Sequence, residues 1–142
     1  MILSGADIRQ YMKHGNLAFS PELRDDQFQQ NGIDMILAAA DTEQLPRGGF
    51  TLGCTKEHIW MPNDLCAFVQ LRSTWARKGF MIPPTVIDAG FSGMITLEIA
   101  SFADQRLPIG ERFAHVIFCK LCSPSEPYDG KYQHQQGITG AR

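Results

Sequence analysis

Short apolar runs rich in β-branched and aromatic residues recur along this chain, and Pro, Gly, Asn, Asp or a charged pair cuts each one off within a few positions. Such spacing suits strands, because a helix needs a stripe at three- and four-residue intervals kept up over several turns. The runs are Ile33–Ala39, Phe50–Thr55, His58–Met61, Cys66–Leu71, Met94–Ile99 and Phe113–Leu121, with a shorter one at Asn16–Phe19 closed by Pro21. Asn31-Gly32 is a turn signal, and Glu22–Gln30 and Asp41–Gly49 read as loops. Helical spacing is found near the N-terminus, where Ser4 can cap, Asp7 follows three residues on, and Ile8, Tyr11 and Met12 form a stripe ending before Gly15. A helix over about Gly5 to His14 is expected, and a shorter one over Thr74 to Lys78 between Ser73 as cap and Gly79. The expectation is a mainly β chain folded over on itself, with a short N-terminal helix and one short internal helix.

A chain of 142 residues suffices for one domain with a proper core and is short for two, so residues 1–142 are read as a single domain. The net charge of −2 offers no basic footprint for polymeric nucleic acid, which is not expected as a partner. No apolar run approaches the roughly 20 residues of a membrane span, and no basic segment followed by an apolar signal core opens the chain. No membrane association is expected, and the location implied is cytoplasmic.

Chemistry concentrates between Gln70 and Ile99. In Met94–Ile99 the residues alternate, so Ile95, Leu97 and Ile99 face one side while Met94, Thr96 and Glu98 face the other. If that second side meets water, Glu98 is an ordinary solvated strand residue; if it meets a pocket, burial raises its pKa and suits it to proton transfer. The start of the Ser73 helix, flanked by Arg72, offers free N–H groups to an anion, although a capped helix with surface arginines has the same signature. Four cysteines include a C-x-x-C, Cys119 and Cys122. Read on one strand, that pair points to opposite faces, and the chain lacks the H-x-E of zinc deaminases and has Phe118 where their proline stands. Buried free thiols are expected rather than a zinc site.

The segments Arg72-Ser73-Thr74-Trp75-Ala76-Arg77, Ile87-Asp88-Ala89-Gly90-Phe91-Ser92-Gly93 and Ile95-Thr96-Leu97-Glu98 resemble, in order, the motifs of the deoxycytidine triphosphate (dCTP) deaminase branch of the deoxyuridine triphosphatase (dUTPase) superfamily. Met1-Ile2-Leu3-Ser4 and Lys131-Tyr132 with Gln135-Gln136-Gly137 extend the likeness toward both ends. The resemblance implies a distorted β-barrel or jelly-roll of the dUTPase type. It implies zinc-independent hydrolysis of dCTP to dUTP and ammonia, with Glu98 as proton shuttle and Ser73 and Arg77 positioning the water. It further implies that Arg72, Ser73, Thr74, Trp75, Ala76 and Arg77 grip the phosphates, that Asp88 contacts the sugar, and that Thr96, Leu97 and Glu98 line the base pocket. Tyr128, Lys131 and Gln135 match nucleotide-contacting positions in a tail, residues 128–142, that composition alone marks as mobile and the family folds over its nucleotide. Magnesium is expected to arrive on the triphosphate rather than in a protein cage. Family members are homotrimers with sites between subunits, so Ser73 and Arg77 are expected to serve a different chain's Glu98.

Some features depart from the deaminase pattern. The segment Lys78–Val86 is shorter and carries Pro83-Pro84, His115 stands where glutamine is frequent, and the compact N-terminal half fits a virus-encoded member. The short segment is dUTPase-like in length, so a bifunctional enzyme forming dUMP, or a dUTPase with Asp88 as base, stands as the alternative. Against a pure dUTPase are Glu98, Phe91 in place of tyrosine, and a tail without the Arg-Gly-x-x-Gly-Phe-Gly pattern. A regulator that binds nucleotide without turnover is a third reading.

Overall fold

The computed structural model describes residues 1–142. In chain order it contains α1 (Gly5–Lys13), β1 (Ala18–Ser20), β2 (Phe28–Gln29), β3 (Gly32–Ala40), β4 (Gln44–Leu45), β5 (Phe50–Trp60) and β6 (Leu65–Leu71). Then follow α2 (Ser73–Ala76), β7 (Phe80–Met81), β8 (Thr85–Ile87), β9 (Ser92–Ser101), β10 (Gln105–Arg106) and β11 (Arg112–Lys120). One curled sheet takes the order β7-β9-β5-β3-β11-β6-β8, with β1 added to β5 and β2 to β3, while β4 and β10 form a separate pair. All the pairings are antiparallel. The mainly β expectation and both helices are borne out.

Alternation along the strands builds the core. Ile33, Met35 and Leu37 of β3, Leu97 and Ile99 of β9, and Phe113 of β11 turn inward and are fully buried. The register slips between β3 and β11, between β3 and β5, and between β5 and β9, and such bulges bend a sheet so that it wraps its own interior. Ser4 and Asp7 complete the capping box of α1, and Ile8 anchors that helix in the core.

Several local expectations change. The run Phe50–Thr55 and the next one as far as Trp60 are one strand, with Met61 just past its end, because Glu57 between them is buried rather than a surface break. Its carboxylate accepts from Ile36 N at 3.0 Å and from Gln27 Nε2 at 2.7 Å, so an acid that looks like punctuation instead ties β5 to β3. The presumed loop at Glu22–Gln30 contains a 3₁₀ turn, Asp25–Gln27, and β2, and that at Asp41–Gly49 contains β4. Ser73 is the first residue of α2 and not its cap; Arg72 holds the cap position without a side-chain bond. Of the cysteines only Cys54 is fully buried, and Cys122 lies beyond the end of β11, exposed.

Burial is the largest influence on Glu57 and pushes its carboxyl above the usual range, outweighing its hydrogen bonds. A carboxyl raised in the folded state contributes stability that is complete below its unfolded pKa and is lost as pH climbs through the folded one. Urea unfolding across that window should show stability falling as pH rises, and Glu57→Gln should flatten the slope; identical slopes would refute the linkage.

Candidate active site

Strand β9 sorts its residues twice, once by side chain and once by backbone. Leu97 and Ile99 face the core, and Thr96 and Glu98, half-buried, face the other way into a cavity of about 530 Å³. The backbone follows the same parity. Ile95 N reaches toward β5, donating to Thr55 Oγ1 at 3.0 Å, whereas Met94 N points away from β5 and donates to Gln135 O at 3.0 Å. By that alternation the N–H and C=O groups of Thr96 and Glu98 also point away from β5. The strand on that side, β7, pairs only with Ala100 and Ser101. Ile82 and Pro83-Pro84 follow it, and a proline opposite Glu98 has no N–H to extend the ladder. The result is a short open edge, at Thr96 and Glu98, facing the cavity.

Other walls come from Phe50 and Leu52 of β5, from Thr85–Ile87 of β8, and from the turn that Asp88 opens. Leu52 is the register partner of Glu98. The turn closes with Phe91 N donating to Asp88 O at 3.1 Å, and Gly90 takes φ of 75° where a Cβ would strike Pro127.

The tail is docked, against the expectation from its composition. His134 N donates to Ser92 O at 2.7 Å, and the Gln135 side chain donates to Met94 O at 2.7 Å, so the tail continues the sheet along the free half of β9. Gln133 accepts from Ser92 N at 2.8 Å and donates to Gly90 O at 3.0 Å and Tyr128 O at 2.8 Å. Gln136 donates to His58 Nδ1 at 3.0 Å, and His58 Nε2 lies 2.8 Å from Ser92 Oγ. Burial pushes His58 below the usual imidazole range, which favours the neutral ring, and the Gln136 amide donor suits the tautomer in which Nδ1 accepts. Tyr128, Tyr132, Gln135 and Thr139 thereby become part of the cavity wall.

Of the predicted site residues, Asp88, Thr96, Glu98, Tyr128 and Gln135 meet in this cavity. Leu97 does not line it, since its side chain is on the core face at 1% exposure. Lys131 is exposed and does not line it, its ammonium donating to the Arg142 carbonyl. The segment expected to grip phosphates, Arg72–Arg77, lies elsewhere. Arg72 and Ser73 line a second cleft of about 360 Å³ with Gln70, Asp34 and His115. Asp34, 1% exposed, gathers Arg72 Nε at 3.0 Å, Arg112 Nη1 at 3.4 Å and His115 Nδ1 at 2.9 Å. Thr74 and Ala76 on α2 and Arg77 just past its end are exposed and line neither space, while the Trp75 indole donates to Arg112 O at 2.7 Å. Sequence reasoning missed Asp34, although a carboxylate inside the apolar run Ile33–Leu37 demands buried partners. It missed Phe50 and Leu52 too, which pairing with β9 alone brings to the cavity.

The dCTP deaminase-like family pattern matches residues 37–121. The chain belongs to that family. A probable deoxyuridine 5'-triphosphate nucleotidohydrolase of Sulfolobus islandicus rod-shaped virus 1 is 41% identical, the alignment covering 100% of this chain and 99% of that protein. The dCTP deaminases of Acidianus ambivalens and Sulfurisphaera tokodaii are 36% and 39% identical, each over 98% of this chain and 96% and 91% of theirs. Among solved structures, the dCTP deaminase of Agrobacterium tumefaciens superposes with a TM-score of 0.65 at 18% identity over 84% of this chain and 47% of its own. EIAV dUTPase gives 0.60 at 24% over 81% and 98%. Both likenesses support the dUTPase-type fold of this dCTP deaminase-like chain.

Gln133 holds the tail to both the Asp88 turn and β9. Gln133→Ala should speed amide exchange across residues 128–142 and raise KM more than it lowers kcat; unchanged exchange would show that the tail is held without it.

Proposed function

We propose that the chain is a dCTP deaminase that hydrolyses the C4–N4 bond of dCTP, releasing dUTP and ammonia, with Glu98 moving the protons. The observation that carries this is the position of Glu98, on the cavity side of β9 and beside the unpaired backbone edge of Thr96 and Glu98. Those N–H and C=O groups are at hand for the donors and acceptors on the Watson–Crick edge of a pyrimidine. Glu98 takes a proton from water as the oxygen bonds to C4 and passes it to N3. It then carries the second water proton to N4, which departs as ammonia while C4 becomes a carbonyl. Asp88 contacts the sugar, and Tyr128 and Gln135 reach the nucleotide from the tail. The substrate is the magnesium complex of dCTP, its metal held by phosphate oxygens. The chain presents no cluster of three or more His, Cys, Asp or Glu side chains arranged to hold a metal, and no step of this scheme passes through one.

Ser73 and Arg77 complete the site only if a second copy supplies them, because within one chain neither lines the Glu98 cavity. Apolar residues exposed around that cavity, Phe50 at 62%, Met81 at 53% and Val86 at 54%, favour such packing. The assembly proposed is a homotrimer in which Ser73 and Arg77 of one copy hold the water against Glu98 of the next, while Arg72 to Arg77 and Lys131 grip the phosphates. No helix is long and apolar enough to cross a membrane, and the proposed setting is the cytoplasm, where free nucleotides occur.

A bifunctional reading, dCTP through to dUMP, is favoured by Asp88 lining the same cavity as Glu98 and by the name of the viral relative. Ammonia and pyrophosphate measured together from magnesium and dCTP separate the readings: ammonia alone is expected of the deaminase, both of the bifunctional enzyme, and neither would sink both. Glu98→Gln should cut ammonia release by about 10²–10⁴-fold, the range for a lost general acid–base group, while dCTP still binds. Mixing Arg77→Ala and Glu98→Gln chains should restore part of the activity through sites built from one intact face of each; no recovery from co-refolded mixtures would refute the shared site.

A further inference from the structure

We propose that Cys66 and Cys119 are a reversible redox pair, exchanging with a small-molecule disulfide to form a cross-strand bond that staples β6 to β11 beside Asp88. The register of β6 and β11 sets Cys66 directly opposite Cys119. Arg72 N donates to Phe113 O at 3.0 Å at one end of this ladder and Leu121 N to Asp64 O at 2.9 Å at the other. The parity between them makes Cys66 and Cys119 a hydrogen-bonded rung, whose Cα atoms stand about 5.5 Å apart, well inside the disulfide range of about 4.4–6.8 Å. Ala67 and Val69 on β6, and Val116 and Phe118 on β11, are buried in the core, so both thiols share the outer face, where each is free and partly exposed.

The rung is slightly wide at Cβ, about 5 Å against about 3.8 Å in a relaxed disulfide. Closing the bond draws the strands together there, and a bond formed under strain is readily reduced, which suits a reversible link rather than a permanent one. The row continues to the cavity. Ala67 pairs with Ile87 across β6 and β8, which places Asp88 next to Cys66. Burial, with Cys119 and Asp88 as acidic neighbours, holds the Cys66 thiol above its usual range. Pulling β6 toward β11 therefore acts on the rung that ends at Asp88, a wall of the nucleotide cavity. This consequence rests on the deaminase reading; the bond itself does not.

One protein thiolate attacks the external disulfide and releases one small thiol; the second attacks the resulting mixed disulfide and releases the other. Two protein thiols lose two protons and two electrons, and the external disulfide gains them. Cys54 sits on β5 and Cys122 lies past the strand end, so neither is on this rung.

The full chain treated with oxidised glutathione, then alkylated and weighed, should show two reactive thiols where the reduced chain shows four, the complement of its four cysteines. Digestion should yield one crosslinked species joining Cys66 to Cys119, dithiothreitol should restore all four thiols, and Cys122→Ser should still form the link. Four alkylatable thiols after oxidation, or a link through Cys54, through Cys122 or between chains, would overturn the proposal. KM for dCTP should rise several-fold in the oxidised form; a mapped link with unchanged KM would overturn the coupling to Asp88. Absence of ammonia in both redox states would instead count against the deaminase reading, with the thiol map still deciding the pair.

Discussion

Everything at the cavity depends on the antiparallel ladder between β5 and β9. A strand has one parity, and shifting this ladder by one residue would exchange Leu97 and Ile99 with Thr96 and Glu98, exposing the core and burying the acid. The cost of exposing Leu97 and Ile99 therefore holds Glu98 in the cavity, at about 1.5–3 kcal/mol for each aliphatic side chain kept from water. The same parity turns two backbone groups per residue toward the open edge. Packing in the core thus sets both the side chain and the hydrogen-bonding edge that the proposed chemistry uses.

An open edge is a hazard in most sheets, since unpaired N–H and C=O groups invite other strands. Here it is kept short from both ends. The tail occupies it at Ser92 and Met94, and β7 occupies it at Ala100 and Ser101 before Pro83-Pro84 ends the pairing. What is left is the stretch Thr96 to Glu98, too short to pair with a strand of ordinary length. Pro83 and Pro84 act here by withholding a donor.

The long strands β3, β6, β9 and β11 and the inward and outward alternation of β9 were legible because they rest on local spacing, and the α1 cap on local hydrogen bonding; the two- and three-residue strands β2, β4, β7, β8 and β10 were not. What escaped depends on partners distant in sequence. Glu57 reads as a strand break until Ile36 and Gln27 are brought to it, whereas Leu97 is put in the pocket by the resemblance alone, against the alternation that already sets it on the core face. The tail reads as mobile because glutamine and histidine look like solvent-facing residues. Their side-chain amides and backbone groups turn out to replace a missing strand, and only the register shows that β9 has an edge to fill.

The second cleft gives a physical reason why Arg72 and Ser73 can stand ordered apart from Glu98. Arg72, capping a one-turn α2, would be a flexible surface cation, yet the buried carboxylate of Asp34 fixes it, and Arg112 and His115 share the same two oxygens. A buried carboxylate is tolerable only with such company, and losing one partner of a buried pair typically costs about 3–5 kcal/mol. Tethered this way, the start of α2 is ordered before anything docks against it. In the proposed trimer each chain then presents two finished half-sites, an acid in a lidded cavity and a rigid cationic turn. Assembly has only to bring them together, and the loss of conformational freedom that would otherwise weaken the shared site has been met during folding.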